Sequence, residues 1–172
     1  MQQLNIAILS YRSAQFGGGQ GVYVKDISYN LNQMGHKVDV ISGPPYPNLD
    51  SRINLIKLPG LNLFETFSFK DRLYKFFKKK NKTLNDWYEF ISVLFGGFPE
   101  LKTFGDRANK FLIENNQYDI IIDNQSLSYG MLEIQKRFPL IEIIHHPITY
   151  DFKYELAASK KIKYKISRYR WY

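Results

Sequence analysis

Leu4-Asn5-Ile6-Ala7-Ile8-Leu9-Ser10, followed at residue 17 by Gly17-Gly18-Gly19-Gln20-Gly21, decides the fold. Residues 4–10 form a near-continuous apolar run, the pattern of a strand buried on both faces. Residues 20–34 then repeat apolar side chains at helical spacing, Val22, Ile27, Leu31 and Met34, and meet Gly35, well placed as a C′ stop. Strand, glycine loop and helix in that order suit an anion. Glycine lets the backbone turn tightly and approach a ligand. The helix start adds unpaired N–H groups and about half a positive charge.

Working outward, residues 37–42 read as a second strand and Gly43-Pro44-Pro45-Tyr46-Pro47 as a loop. A short strand at 52–58 closes at Pro59-Gly60. Residues 64–95 are aromatic and basic and read as two helices. Phe69, Leu73, Phe76 and Phe77 share one helical face there, with Lys70, Lys75, Lys78 and Lys79 off it. After Gly96-Gly97-Phe98-Pro99 come a helix at 100–115, a buried strand at 118–123, a helix at 126–137, a buried strand at 140–144 and a helix-compatible tail from Asp151. Strands alternating with helices predict an α/β fold, a Rossmann-like parallel sheet with helices on both faces. Ligands of such sheets bind beyond the carboxyl ends of the strands. The glycine loop, the Asn124-Gln125-Ser126 turn and the His145-His146 turn all fall at that edge, so they are expected to line one pocket.

A chain of 172 residues fits one domain, and 44% hydrophobic with 16% aromatic content excludes disorder. With no cysteine there is no disulfide scaffold, cysteine zinc site or thiol nucleophile. No basic leader precedes the first strand, and no apolar stretch approaches the roughly 20 residues of a membrane span. A cytoplasmic location is compatible with both. The net charge of +8 favours polyanionic partners and concentrates at residues 70–82 and 153–170. No nucleic-acid-binding signature accompanies it, so no nucleic-acid partner is expected.

Each motif has a plainer alternative. The glycine loop fits either a phosphate contact or a simple tight turn. It departs from the dinucleotide fingerprint, since Val22 or Val24 holds the last glycine position and no acidic residue ends strand two. It also lacks the Gly-Lys-Ser/Thr of a phosphate-binding P-loop. His145 and His146 alternate in direction on an extended backbone before Pro147, so one ring faces the cleft, unless the pair only ties loop backbone. The remaining histidine, His36, reads as structural, and no metal site is expected. Ser126 or Asn124 would cap the following helix; the same amides and hydroxyl could instead bind a hydroxylated ligand. Residues 64–82 form either a helix packed on its own sheet with a solvated cationic back, or a helix lying on an anionic membrane surface.

Ile6 to Ser10, then Gly17-Gly18-Gly19-Gln20-Gly21-Val22-Tyr23, then Leu31 with Met34-Gly35-His36-Lys37-Val38, resemble the start of glycosyltransferase family 4 enzymes of the GT-B fold. Phe98-Pro99-Glu100-Leu101-Lys102-Thr103-Phe104, Asp123-Asn124-Gln125-Ser126-Leu127-Ser128-Tyr129-Gly130 and His145-His146-Pro147-Ile148-Thr149-Tyr150-Asp151 resemble one bacterial subgroup of it. The resemblance implies a retaining hexosyltransferase that moves sugar from a nucleotide-sugar donor to a glycan, lipid-linked or small-molecule acceptor, with no other cofactor. Residues 1–172 would be its N-terminal, acceptor-side domain, inactive without a C-terminal nucleotide-sugar domain that this chain lacks. Gly17, Gly18, Gly19, Gln20 and Gly21 would face the donor diphosphate and His145 the donor sugar, as the catalytic residue. Tyr23, Asn124, Gln125, Ser126, His146 and Thr149 would line the cleft or hold the acceptor. The enzyme would work in the cytoplasm, peripheral at the inner face of the membrane. The rivals are a non-catalytic α/β binding module and a membrane-surface interaction protein.

Overall fold

A computed structural model describes residues 2–14, 19–63, 65–66, 68–160, 162 and 165–166. They form two compact units, Met1–Gly60 with Leu101–Ile143, and Leu61–Glu100 with Ile144–Tyr172.

The first unit is a sheet of five strands: β1 (Asn5–Ser10), β2 (Lys37–Ser42), β3 (Asn54–Lys57), β4 (Ile120–Asn124) and β5 (Leu140–Ile143). Their order is β3-β2-β1-β4-β5 and every pairing is parallel. Helices α1 (Gly19–Gln33), α4 (Glu100–Glu114) and α5 (Tyr129–Ile134) connect them. Since the strand order reverses at β1, right-handed crossovers put α1 on one face and α4 and α5 on the other.

The alternation of side chains along each strand builds a core on both faces. Ile6, Ile8, Val38, Val40 and Ile122 pack with Val24 of α1. Ala7, Leu9, Ile41 and Ile121 take the opposite parity, and Phe104, Ala108 and Leu112 of α4 and Ile134 of α5 are buried with them. The inner face of α1 is in part the one its large apolar residues suggested, since Ile27 and Leu31 pack against the sheet core. Gly21, Val24 and Ser28 are buried beside them while Val22 and Met34 stand exposed, and at Gly21 the close neighbour is the Ala14 backbone of the loop after β1. Gly35 does stop it, at φ 92°, with its N–H on the Asn32 carbonyl and that of His36 on Leu31, a Schellman ending. The His36 ring accepts the Leu4 N–H through Nδ1 (3.2 Å), the structural role expected of it.

The second unit contains α2 (Phe69–Lys78), α3 (Leu84–Leu94) and α6 (Ile148–Ala158). Leu61, Leu63, Phe76 and Phe90 form its core, with Leu73 and Val93 packed against them. Phe76 stacks on Phe90 at 4.2 Å and meets Trp87 edge-on at 4.7 Å. Thr83 and Asp86 close a capping box at the start of α3, and Lys79 pairs with Asp86 at 2.7 Å. Burial raises the Asp86 carboxyl, yet the bonds from Lys79 and Thr83 outweigh it and hold the group below its usual range. The helical face expected to be core is only half buried: Phe76 is inside, but Phe69 and Phe77 are exposed.

Candidate functional site

The carboxyl edge of the first unit's sheet brings the ends of β1, β2 and β4 together. Gly43 donates its N–H to the Ser10 carbonyl (3.0 Å), and Ser13 donates to Pro45 (2.7 Å) across the cis Pro44–Pro45 peptide. Ser10 and Ser13 join their hydroxyls at 2.6 Å, and Asn124 Nδ2 reaches Ser10 Oγ at 3.4 Å. The loop after β1 is thus fastened to both neighbouring strands, and it delivers the chain to the start of α1.

Glycine serves two purposes there. A Cβ on Gly21 would stand 2.3 Å from the Ala14 carbonyl oxygen, so packing alone demands glycine. A Cβ on Gly19 would meet nothing within 4 Å. The first turn of α1 therefore presents its amides beside open space at Gly19. Gly17 and Gly18 lie outside the described residues. Gln20 and Tyr23 are half-buried in that turn. A cavity of about 210 Å³ adjoins it, lined by Ser13, Gly21, Val22, Lys25, Asp26, Pro47 and Asn48. The larger cavity, about 370 Å³ and lined by Tyr118, Arg137 and Pro139 among others, opens at the amino ends of β4 and β5, away from this chemistry. The helix N-terminus and Lys25 favour negative charge in the first cavity, and Asp26 on its wall opposes it.

At the end of β4, Asp123, Asn124, Gln125 and Ser126 are all buried. The expected helix at 126–137 is shorter: Ser128 takes the N-cap position of α5 and makes no side-chain cap bond. The cap expected of Ser126 or Asn124 is not made. Ser126 turns back instead and donates its N–H (2.7 Å) and hydroxyl (2.6 Å) to Asp123. Gln125 and Leu127 take φ of 56° and 47°, left-handed conformations that side chains disfavour and that concentrate at functional sites.

Glu142 escaped the sequence reading. It pairs with Asp123 in the β4–β5 register, so the two carboxyl groups stand side by side on one face of the sheet. Burial, then the bond to Asp123, then its charge push Glu142 up to about 9. Burial also raises Asp123, against the hydrogen bonds it receives. The available signal was a glutamate interrupting the apolar run Leu140-Ile141-Glu142-Ile143.

His145, His146 and Thr149 belong to the second unit, and the glycine loop and the 124–126 turn belong to the first. His145 is half-buried and His146 exposed; the His146 backbone carbonyl accepts the Ile148 N–H at 2.9 Å. Pro147 is the N-cap of α6, and Thr149 lies exposed in the first turn. Among the described residues no group of three or more metal-binding side chains occurs.

A parallel sheet in this order, with glycines opening its first helix, is the Rossmann-like unit that forms the N-terminal half of GT-B glycosyltransferases. The chain belongs to Glycosyltransferase Family 4, whose sequence pattern matches residues 17–172. It is 43% identical over 173 aligned residues to an MMP alpha-(1->4)-mannosyltransferase of Mycolicibacterium hassiacum. The match covers 98% of this chain and 41% of that protein, so the chain spans about two-fifths of the relative's length.

Proposed function

We propose that this chain is the acceptor-side half of a retaining, nucleotide-sugar-dependent hexosyltransferase, transferring an α-linked mannose to a glycan, lipid-linked or small-molecule acceptor. The observation that supports it is the match to the mannosyltransferase along 98% of the chain. The amides at the start of α1, with Gly17, Gly18, Gly19, Gln20 and Gly21, meet the donor diphosphate. Oriented N–H donors there stabilise the charge that develops as it leaves. His145 hydrogen-bonds the donor sugar and positions its anomeric carbon. Tyr23, Asn124, Gln125, Ser126, His146 and Thr149 serve the acceptor and the cleft. The helix dipole and cationic side chains neutralise the diphosphate in this scheme, without a metal. The nucleotide is held by a C-terminal domain, beyond the two-fifths of the relative's length that this chain spans.

The test uses a full-length protein and residues 1–172 alone, each with GDP-mannose and UDP-glucose and mannose-type oligosaccharides as acceptors. Transfer by the full-length protein only, lost in His145→Ala, supports the reading. Turnover by residues 1–172 alone would refute the half-enzyme, and no transfer by the full-length protein would remove the activity.

A second feature supports peripheral work at the inner face of the cytoplasmic membrane. Tyr74 and Phe77 on α2 and Leu84, Trp87, Tyr88 and Ile91 on α3 are exposed beside Lys70, Lys78 and Lys80. Among the described residues no helix is long and apolar enough to cross a membrane. Each lysine near anionic lipid contributes about 1 kcal/mol. Sedimentation with phosphatidylglycerol vesicles, absent with phosphatidylcholine and abolished by salt, is the expected result; binding indifferent to both would exclude it.

A further inference from the structure

The strained turn at 124–128 needs something to hold it, and its ties run to one carboxylate. Asp123 accepts the Ser126 N–H and hydroxyl and also the Leu127 N–H. It is fully buried, and its neighbour in register on β1 is Leu9, which brings no charge. Such a set of donors calls for an ionised acceptor.

Glu142 supplies one more contact from β5. Register sets the two carboxyls side by side, and since two carboxylates are both acceptors they attract only if one bears a proton. Asp123 is occupied by donors, whereas Glu142 Oε1 is buried without a hydrogen-bond partner among the described residues. The proton therefore belongs on Glu142. Other charges of the same face are engaged elsewhere: Arg107 of α4 with Thr103, Asp106 with Lys102, and Glu133 of α5 with Lys136. Asp123 is the ionisable group that acts on Glu142, and Glu142 the one that acts on Asp123.

We propose that Glu142 is a positioning residue: protonated, it donates to Asp123 and so fixes the left-handed turn that presents Asn124, Gln125 and Ser126. Removing the proton sets two negative charges side by side behind the turn and releases it. The consequence for sugar transfer rests on the reading of the preceding subsection; the consequence for the turn does not.

The experiment measures hydrogen-exchange protection of the Ser126 and Leu127 amides, and transfer rate, in the full-length protein from pH 6 to 10. In the unsubstituted protein, protection and rate should fall together near the pH of about 9 at which Glu142 ionises. Above it the loss should approach about tenfold per pH unit, as for one proton. Glu142→Gln, whose amide donates without titrating, should keep the turn protected across the range and rescue the rate at high pH. Glu142→Ala should lose protection already at pH 7. An alkaline transition in Glu142→Gln identical to that of the parent, or none in either, overturns the proposal. If protection behaves as stated but no sugar is transferred, the functional reading fails and the positioning role stands.

Discussion

Gly105 of α4 and Gly130 of α5 meet backbone to backbone: a Cβ on Gly130 would lie 2.5 Å from the Gly105 carbonyl carbon. That contact sets how closely α5 can follow β4, and it fixes the helix that ends the 124–128 turn. A Cβ on Gly105 would first strike Ser128 Oγ, at 2.0 Å, an atom that can rotate away. Gly130→Ala should therefore destabilise the protein by about 1–3 kcal/mol, as overpacking does, and Gly105→Ala by less. Urea unfolding midpoints of the two variants give the comparison. Equal midpoints would mean the backbones do not touch.

The glycines at the start of α1 should separate structure from function. Gly21→Ala forces the β1–α1 loop off the helix and should cost about 1–3 kcal/mol of stability. Gly19→Ala projects into open space and should leave the melting temperature alone, while raising the KM for the donor if the diphosphate sits there. An unchanged KM in Gly19→Ala would move the donor away from this turn.

The backbone of the sheet was legible because parallel strands buried on both faces read as apolar runs. The reading at 37–42 coincides with β2, and the strand at 4–10 differs from β1 by one residue. What the sequence hid was carried by small or polar residues. Gly21 and Ser28 extend the inner face of α1 beyond Ile27 and Leu31 without leaving a hydropathy signal. The 126–137 helix looked longer because left-handed Gln125 and Leu127 cannot be seen in composition. The Asp123–Glu142 pair joins positions 19 residues apart (142 minus 123), and only strand register brings them together. Phe69 and Phe77 shared a face with Phe76, but hydropathy could not say how much of that face is covered.

Tyr118 ties the amino end of β4 to β2, donating its hydroxyl to Asp39 Oδ2 at 2.8 Å. Burial, then that bond, push the phenol well above its ordinary range, so it stays protonated and donating at any working pH. Tyr118→Phe leaves a carboxylate short of a donor and should cost about 1.5–3 kcal/mol, the range for bonds to charged groups. Thermal unfolding at neutral pH measures it. A change within about 0.5 kcal/mol, typical of an unconnected surface site, would show that water replaces the phenol.

Stability itself should report the shared proton. In the unfolded chain Glu142 titrates near the ordinary glutamate value of 4.5, and in the folded protein only at about 9. Below the lower value both states are protonated and the stabilisation is fully present. Between the two values the folded state holds a proton that the unfolded state has released, so stability falls as pH rises. Above the upper value both are ionised and the loss from this group is complete. The urea midpoint should thus drop between pH 5 and pH 9 more steeply in the parent protein than in Glu142→Gln, which cannot titrate. The difference between the two curves cancels the groups that do not interact with Glu142 and leaves the Asp123–Glu142 pair. Parallel curves would mean that Glu142 is charged at neutral pH, and that two carboxylates face each other at the end of β4 without a proton between them.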